Sequence, residues 1–111
     1  MEAKAIAKYI RISPRKVHFI CNEIRGKDID EALSILKFTP KKGARELLAV
    51  LESAIANATN NFDLDRDKLY VKDAQATDGP RMKRYRPKAH GSAYPILKRT
   101  AHLSVVVSDE K

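Results

Sequence analysis

The amino-acid sequence predicts an α+β fold from which a long basic β-hairpin projects. Strand-like alternation and helix-like periodicity both occur, and they occupy different stretches of the chain. Residues 79–100 contain seven Lys or Arg and no acid, and strand-like sequence flanks them on both sides. We therefore expect one domain over residues 1–111, with a globular part at about 1–78 and 101–111 and a hairpin arm at about 79–100.

The net charge is concentrated in the predicted arm. The 111 residues include 22 Lys or Arg and 14 Asp or Glu, which gives a formal charge of +8. Outside residues 79–108 the balance is 15 basic to 14 acidic residues. A local excess of positive charge is suited to a polyanion, and phosphate backbone is the most common one in a cell. Apolar residues and three prolines among these cations argue against the alternative of a solvated, disordered loop.

Composition argues against several other classes of protein. No run approaches the ~20 apolar residues of a membrane span, and the first residues do not lead into a signal-peptide core. The single cysteine, Cys21, allows no internal disulfide and fits a reducing compartment. His18, His90 and His102 have no zinc spacing, and neither a Gly-rich phosphate loop nor a paired-carboxylate frame is present. We predict no enzymatic activity, no cofactor, no metal and no membrane association.

The first two elements are predicted to be a strand and a helix. Alternation over residues 3–12 indicates a strand, with Tyr9 on the same face as three alanines. Ser13 and Pro14 are suited to the cap and first position of a helix, and Gly26 to its end. The predicted buried face of this helix contains Val17, Ile20, Cys21 and Ile24.

Two more helices follow. Asp28 has the position of an N-cap, and the apolar spacing after it predicts a short helix that ends near Phe38. Thr39 and Pro40 repeat the cap-and-proline pattern, so a long third helix is expected from Pro40 to about residue 60. Its predicted buried face contains Ala44, Leu47, Leu48, Leu51, Ala54, Ile55 and Ala58.

Cations crowd the starts of the first and third helices. Arg15 and Lys16 lie in the first turn of the first helix, and Lys41, Lys42 and Arg45 at the start of the third. The helix dipole disfavours cations there, whereas the amide-rich helix end and the cations together would bind phosphate. We therefore predict two separate phosphate-binding corners, and the alternative is a set of solvated charges.

The remaining elements are an acidic loop and two strands. Residues 62–67 lack the glycine and distal Glu of a calcium loop, so their acids are expected to face solvent. Residues 69–77 are predicted to form a strand with Val71 and Asp73 on one face and Ala74 on the other. Residues 101–108 are rich in β-branched side chains and form the clearest strand. Antiparallel pairing of these strands would make the arm a hairpin reaching on the order of 30 Å, ordered by its binding partner.

Several longer motifs are typical of a known family. They are Ser13-Pro14-Arg15-Lys16, Ile24-Arg25-Gly26-Lys27, Glu31-Ala32-Leu33, Ser53-Ala54-Ile55-Ala56-Asn57-Ala58, Asp78-Gly79-Pro80, Met82-Lys83-Arg84 and Lys98-Arg99-Thr100-Ala101-His102-Leu103. With these motifs the chain closely resembles the bacterial-type ribosomal protein L-twenty-two family of the large subunit, over essentially its whole length.

This resemblance implies three helices packed on a three-stranded antiparallel sheet. It further implies a globular part near the outer end of the peptide exit tunnel, a hairpin threaded into large-subunit rRNA and a tip in the tunnel wall. The implied roles are rRNA binding and subunit assembly. Expected partners are neighbouring large-subunit ribosomal proteins, the nascent polypeptide and macrolides near the tip. The expected location is a cytoplasmic ribosome, with an organellar ribosome left open, and the free protein is expected to be a monomer.

The residues expected to meet RNA follow from the cations and the resemblance. The rRNA-binding candidates are Arg11, Ser13, Arg15, Lys16, Lys41, Lys42, Arg45, Arg81, Lys83, Arg84, Tyr85, Arg86, Lys88, Lys98 and Arg99. The tunnel-lining candidates are Met82, Lys83, Arg84, Lys88, Ala89, His90, Gly91 and Ser92. Ser92 stands where an Arg is usual in the family and His90 where a Lys or Arg is common, so this tip carries less charge. Tyr85 and Tyr94 either stack on unpaired bases or pack across the ribbon.

A second function class uses a similar arm. Architectural DNA-binding proteins of the HU type also lay a proline-bearing β-arm into the minor groove. They work as dimers and need a large apolar dimer surface, whereas each helix here has a single apolar stripe. A third class, an adaptor for an acidic protein, has no positive support in the sequence.

Overall fold

The computed structural model describes residues 1–79, 82–87, 93–98 and 100–110, with side chains for 1–79 and 100–110. In chain order the elements are β1 (Glu2–Ile10), α1 (Pro14–Ile24), α2 (Ile29–Phe38), α3 (Lys42–Ala56), β2 (Tyr70–Asp78), β3 (Met82–Pro87), β4 (Ala93–Lys98) and β5 (Ala101–Ser108). A π-helical turn over Asn57–Asn61 extends α3, and a 3₁₀ turn over Arg66–Lys68 precedes β2.

β5 is the central strand of the main sheet. It lies between β1 and β2 and is antiparallel to both, so that Val105 is opposite Ala5 on one side and Ala74 on the other. Because β5 has a partner strand along both edges, its β-branched stretch lies in the interior of the sheet. Three helices and a three-stranded antiparallel sheet form the α+β fold that the sequence and the resemblance predicted.

The helices cover one face of this sheet. Alternate residues of β5 are completely buried, and the residues between them are partly exposed. α1 packs against β2, and α3 packs against β1 and β5. The buried side chains from these elements form one core, in which the largest fully buried members include Val17, Ile24, Leu36, Leu47, Leu51, Leu103 and Val105. All four residues predicted for the buried face of α1, Cys21 among them, are buried as expected.

α1 begins and ends where the sequence predicted, and only its predicted cap is wrong. Pro14 occupies the first helical turn, and Gly26 follows the helix in the left-handed region at φ 77°. The predicted cap by the Ser13 side chain is wrong, because Ser13 holds the N-cap position without a side-chain capping hydrogen bond. Its backbone carbonyl instead accepts a hydrogen bond from the Lys16 N–H at 3.1 Å.

The predicted start of α3 is wrong by two residues. Thr39 ends α2 instead of opening α3, because its Oγ1 donates to the Ile35 carbonyl at 2.6 Å. α3 begins at Lys42 with Lys41 as its N-cap, so Pro40 lies in the link between the helices. A hydroxyl residue before a proline is suited to the end of one helix as well as to the start of the next.

The buried face of α3 is also rotated slightly from its predicted position. Val50 is buried, although it was not predicted to be. Leu48 and Ile55, which were predicted to be buried, are half-buried at the edge of the core. The apolar stripe of α3 is wider than the surface that it covers, so the sheet and α1 decide which residues lie at its centre.

β2 contains a bulge that the alternation did not reveal. Its register against β5 shifts between Val71 and Asp73, and both Val71 and Ala74 are completely buried. An extra residue in a strand reverses the alternation of faces beyond it. The predicted pairing of Asp73 with Val71 on one face is therefore wrong, and the half-buried Asp73 carboxylate forms an ion pair with Arg25 at 3.4 Å.

β1 ends in a second irregularity, two residues before its predicted end. The register with β5 shifts between Ala7 and Ile10, and Tyr9 has a left-handed backbone with φ 61°. Tyr9 is 63% exposed and does not share the buried face of the alanines, contrary to prediction. Its N–H donates to His102 Nδ1 at 3.1 Å, and the two rings meet edge to face.

The acidic stretch before β2 faces solvent, as expected. Asp63, Asp65 and Asp67 are all exposed. Asp65 caps the 3₁₀ turn by accepting a hydrogen bond from the Asp67 N–H at 3.0 Å. Between them, Arg66 forms an ion pair with Asp30 of α2 at 3.2 Å.

The arm is an antiparallel hairpin over the backbone ranges described. β3 and β4 pair from Met82 opposite Lys98 to Pro87 opposite Ala93. At the root of the arm, the Gly79 N–H donates to the Thr100 carbonyl at 3.0 Å. The reach of the arm and its ordering by a partner remain predictions.

Candidate nucleic-acid interface

The starts of α1 and α3 lie against each other. Gly43, in the first turn of α3, is buried, and a Cβ on it would stand 3.1 Å from Val17 Cγ2 and 3.3 Å from Ile20 Cδ1. Lys42 Nζ also donates to the Arg11 carbonyl at 3.5 Å, across the link between β1 and α1. The absence of a side chain at Gly43 therefore allows the two helix starts to approach closely.

One concave surface lies at these two helix starts, and we call it the helix-start concavity. It has a volume of about 680 Å³, within the range of roughly 300–1,000 Å³ that is usual for ligand sites. Its lining residues are Arg11, Ile12, Ser13, Arg15, Lys16, Phe19, Ile20, Lys41, Lys42 and Gly43. Arg15 and Lys16 of one predicted phosphate-binding corner and Lys41 and Lys42 of the other thus line a single concavity.

The charge of the helix-start concavity is entirely positive. Five of its ten lining residues are Lys or Arg, all five are exposed, and none of the ten is acidic. No ion pair involves these five cations within the part of the chain whose side chains the structure describes. Elsewhere on the domain Arg25, Arg66 and Lys72 are each paired with a carboxylate. A surface with unneutralised cations around a concavity is suited to an anionic ligand.

The floor of the concavity is apolar, in contrast to its rim. Ile12 and Ile20 are 9% and 3% exposed, and we call this buried part of the lining the floor, whereas the five exposed cations form what we call the rim. Phe19 also lines the concavity and is 66% exposed. Sequence reasoning missed Phe19, although its position outside the apolar stripe of α1 already indicates an exposed aromatic residue.

The structure does not place the other predicted RNA-binding and tunnel-lining residues in the helix-start concavity. Arg45 is exposed on α3 but does not line the helix-start concavity. Met82, Lys83, Arg84, Tyr85 and Arg86 belong to β3 and Lys98 belongs to β4, where Tyr85 is opposite Pro95. Arg81, Lys88, Ala89, His90, Gly91, Ser92 and Arg99 lie outside the described residues.

Other functional chemistry has little support among the described residues. Cys21 is completely buried, and this burial raises the pKa of its thiol to about 11, so the thiol stays protonated at neutral pH. No group of three His, Cys, Asp or Glu side chains in the described ranges is arranged to hold a metal ion. None of the described helices is long and apolar enough to cross a membrane.

Comparison with known proteins identifies the family. Residues 5–108 match the family described as Ribosomal protein L22p/L17e. The chain belongs to this family. It is similar to the large ribosomal subunit protein uL22 of Finegoldia magna, with 67% identity over 100% of this chain and 99% of that protein. Proteins of the same name from Clostridium novyi and Clostridioides difficile are 55% and 54% identical, over 98% and 100% of this chain and the same shares of their own.

Members of the L22p/L17e family are structural, non-enzymatic components of the ribosome. The resemblance drawn from the sequence motifs is therefore confirmed, and so is the prediction that the chain is not an enzyme. Three residues of the motif Ser13-Pro14-Arg15-Lys16, namely Ser13, Arg15 and Lys16, line the helix-start concavity.

Proposed function

We propose that this protein is a structural constituent of the large ribosomal subunit and binds its rRNA through two basic surfaces. One surface is the helix-start concavity, and the other is the hairpin arm at about residues 79–100. The observation that carries the proposal is that five exposed cations and no acid line the concavity. The same chain also has the arm, with seven Lys or Arg and no acid between residues 79 and 100.

Counterion release is the physical basis of this binding. Each Lys or Arg that neutralises a phosphate releases condensed cations from the RNA, so affinity falls as salt rises, with a slope of about −0.7 to −0.9 per contact. The N–H groups in the first turns of α1 and α3 add hydrogen-bond donors beside these cations. Binding at the concavity therefore fixes the position of the globular part without reading the sequence of the RNA.

The arm has a separate role in the proposal. A two-stranded ribbon has few contacts of its own and is marginally stable in water, so surrounding RNA supplies its environment. Residues Met82, Lys83 and Arg84 of β3, with the tip at 88–92, line the tunnel wall and contact the nascent polypeptide and macrolides. The globular part contacts neighbouring ribosomal proteins and aids subunit assembly. The protein acts on cytoplasmic ribosomes and is a monomer when free.

Sedimentation of tagged protein from a cell lysate tests the proposal. After a high-salt wash, we expect the protein to remain with large ribosomal subunits on a sucrose gradient. A variant with Lys16→Ala and Lys41→Ala should be released at lower salt than the wild type, because two phosphate contacts are lost. Lys27→Ala with Lys37→Ala is the matched control, since it removes the same charge from exposed lysines outside the concavity.

The outcomes of this experiment separate the function classes. Equal release of the two double variants would contradict the role of the concavity. Release of the wild type from ribosomes with recovery on DNA would favour the architectural DNA-binding alternative and would overturn the proposed function. A dimer in solution would point the same way.

A further inference from the structure

Phe19 exposes most of its side chain to solvent. Its side chain is 66% exposed on α1, whereas the neighbouring Ile20 is 3% exposed and packs in the core. A phenylalanine exposed to this extent adds little to the stability of the domain, because most of its apolar surface remains in water. It lies on the wall of the one concavity described above, beside Arg15 and Lys16.

We propose that the helix-start concavity binds an unpaired RNA nucleotide, with its base stacked on Phe19 and its flanking phosphates bound by the cations of the rim. The inference rests on the proposed rRNA binding and refines it, because it names a flipped or single-stranded nucleotide rather than the backbone of a duplex. The apolar floor of Ile12 and Ile20 and the ring of Phe19 match the faces of a base. Arg15, Lys16 and Lys41 match the charge on either side of it.

Neither a helical duplex nor an apolar protein segment fits this combination of surfaces. The bases of a duplex are stacked on one another, so an A-form helix would leave Phe19 and the apolar floor against sugar and phosphate. An apolar protein segment would bury the floor but would also desolvate exposed cations that have no carboxylate partner among the described side chains. An unpaired nucleotide has both a planar apolar face and negative charge, so it satisfies both parts of the concavity.

The chain offers a matched control for Phe19. Phe38, at the end of α2, is 85% exposed and does not line the helix-start concavity. Because both side chains are largely in water, replacing either one leaves the core unchanged. Any difference between the two variants in RNA binding therefore reports on position and not on the loss of an exposed aromatic ring in general.

Fluorescence anisotropy with two labelled probes tests the inference. The probes are a ten-nucleotide single strand of polyuridine and a blunt ten-base-pair RNA duplex, each titrated with the full chain. We expect Phe19→Ala to weaken binding of the single strand by about 5- to 100-fold, as for loss of one base-stacking contact, with an unchanged salt slope. Duplex binding should not change. Phe19→Leu should lower the affinity for the single strand as Phe19→Ala does. Phe19→Tyr and Phe38→Ala should keep the wild-type affinity.

Contributions from the arm are separated by a second readout. A single strand that contains 5-iodouridine is cross-linked by light to the full chain, and the modified peptides are mapped. We expect a cross-link at Phe19 and none at Phe38. Cross-linking of both to a similar extent, or equal loss of single-strand and duplex affinity in Phe19→Ala, would overturn the inference. So would full single-strand affinity in that variant.

Failure of the inference and failure of the proposed function give different results. In one case Phe19→Ala binds both probes with wild-type affinity, whereas the double variant Lys16→Ala with Lys41→Ala has lower affinity for both probes and a smaller salt slope. The concavity would then bind phosphate without a stacked base. If neither the lysine pair nor Phe19 affects binding of either probe, the concavity is not an RNA-binding surface, and both the inference and this part of the proposed function are wrong.

Discussion

Gly43 lies directly against Val17, so that a Cβ at residue 43 would stand 3.1 Å from Val17 Cγ2. This approach joins the start of α3 to the first turn of α1, and Gly43 itself lines the helix-start concavity. Val17 is completely buried and β-branched, which restricts the rotamers that it can adopt to make room. The close contact thus links the packing of the core to the geometry of the proposed RNA-binding surface.

We expect Gly43→Ala to lower the free energy of unfolding by about 1 kcal/mol. Overpacking usually costs about 1–3 kcal/mol, and the better helix propensity of Ala offsets part of that cost. Urea denaturation measures the change. In a Val17→Ala background the added methyl has room, so the same substitution should become neutral or stabilising. A cost that is the same in both backgrounds would show that the 3.1 Å contact is not the cause.

Arg25 is expected to stabilise the fold rather than to bind RNA. Its Nε and Nη2 donate to the Ala74 carbonyl at 2.9 and 2.6 Å, and Nε lies 3.4 Å from Asp73 Oδ1 beside the bulge of β2. We expect Arg25→Ala to lower the free energy of unfolding by about 1–2 kcal/mol, since charged hydrogen bonds are lost from a site that is only partly exposed.

The exposed ion pair between Arg66 and Asp30 provides the comparison for Arg25. Its side chains are 44% and 82% exposed, so Arg66→Ala should change the free energy of unfolding by less than about 0.5 kcal/mol. Thermal and urea denaturation of both variants give the two values. Similar losses in the two variants would mean that the hydrogen bonds to Ala74 contribute nothing beyond surface charge.

The buried thiol of Cys21 should make stability depend on alkaline pH. Burial raises its pKa to about 11 in the folded state, whereas in the unfolded chain the thiol ionises near its ordinary value of about 8.5. The folded state therefore holds the thiol proton more tightly than the unfolded chain does. The resulting contribution to the free energy of unfolding is present below about pH 8.5 and is lost as pH rises toward 11.

Cys21→Ala isolates this effect from the ionisation of Lys and Tyr. Between pH 8 and 10 we expect the wild type to lose on the order of 2 kcal/mol more unfolding free energy than the variant. In addition, an alkylating reagent at pH 8 should modify Cys21 only after denaturation. Parallel pH profiles of the two proteins, or fast alkylation of the native protein, would contradict the buried, protonated state.

Deletion of residues Met82, Lys83 and Arg84 should leave the globular part folded. All three belong to β3, whose backbone pairs with β4 in a two-stranded sheet that is separate from the main sheet. We expect the helical circular dichroism signal and the urea midpoint to be almost unchanged, because β3 lies outside the sheet against which the helices pack. Loss of the helical signal would show that the arm and the globular part do not fold independently.

The elements with strict periodicity were predicted well from the sequence. The residues predicted for the buried face of α1 are all buried, and β5 spans the predicted residues. In both, the spacing of apolar residues matches one regular period, and the local chain geometry then decides which side faces the core. The bulge in β2 and the turn at Tyr9 could not be predicted in this way, because each depends on pairing with β5.

The sequence by itself determined the helices and strands, the basic arm and the family, because propensity, periodicity and motifs are properties of neighbouring residues. Only the tertiary structure decided that the two cationic helix starts form one concavity with Phe19 on its wall. Lys16 and Lys41 are far apart along the chain, and no local pattern records their distance in space. The packing of Gly43 on Val17 brings them together, since the helix starts can approach closely only where one of them carries no side chain.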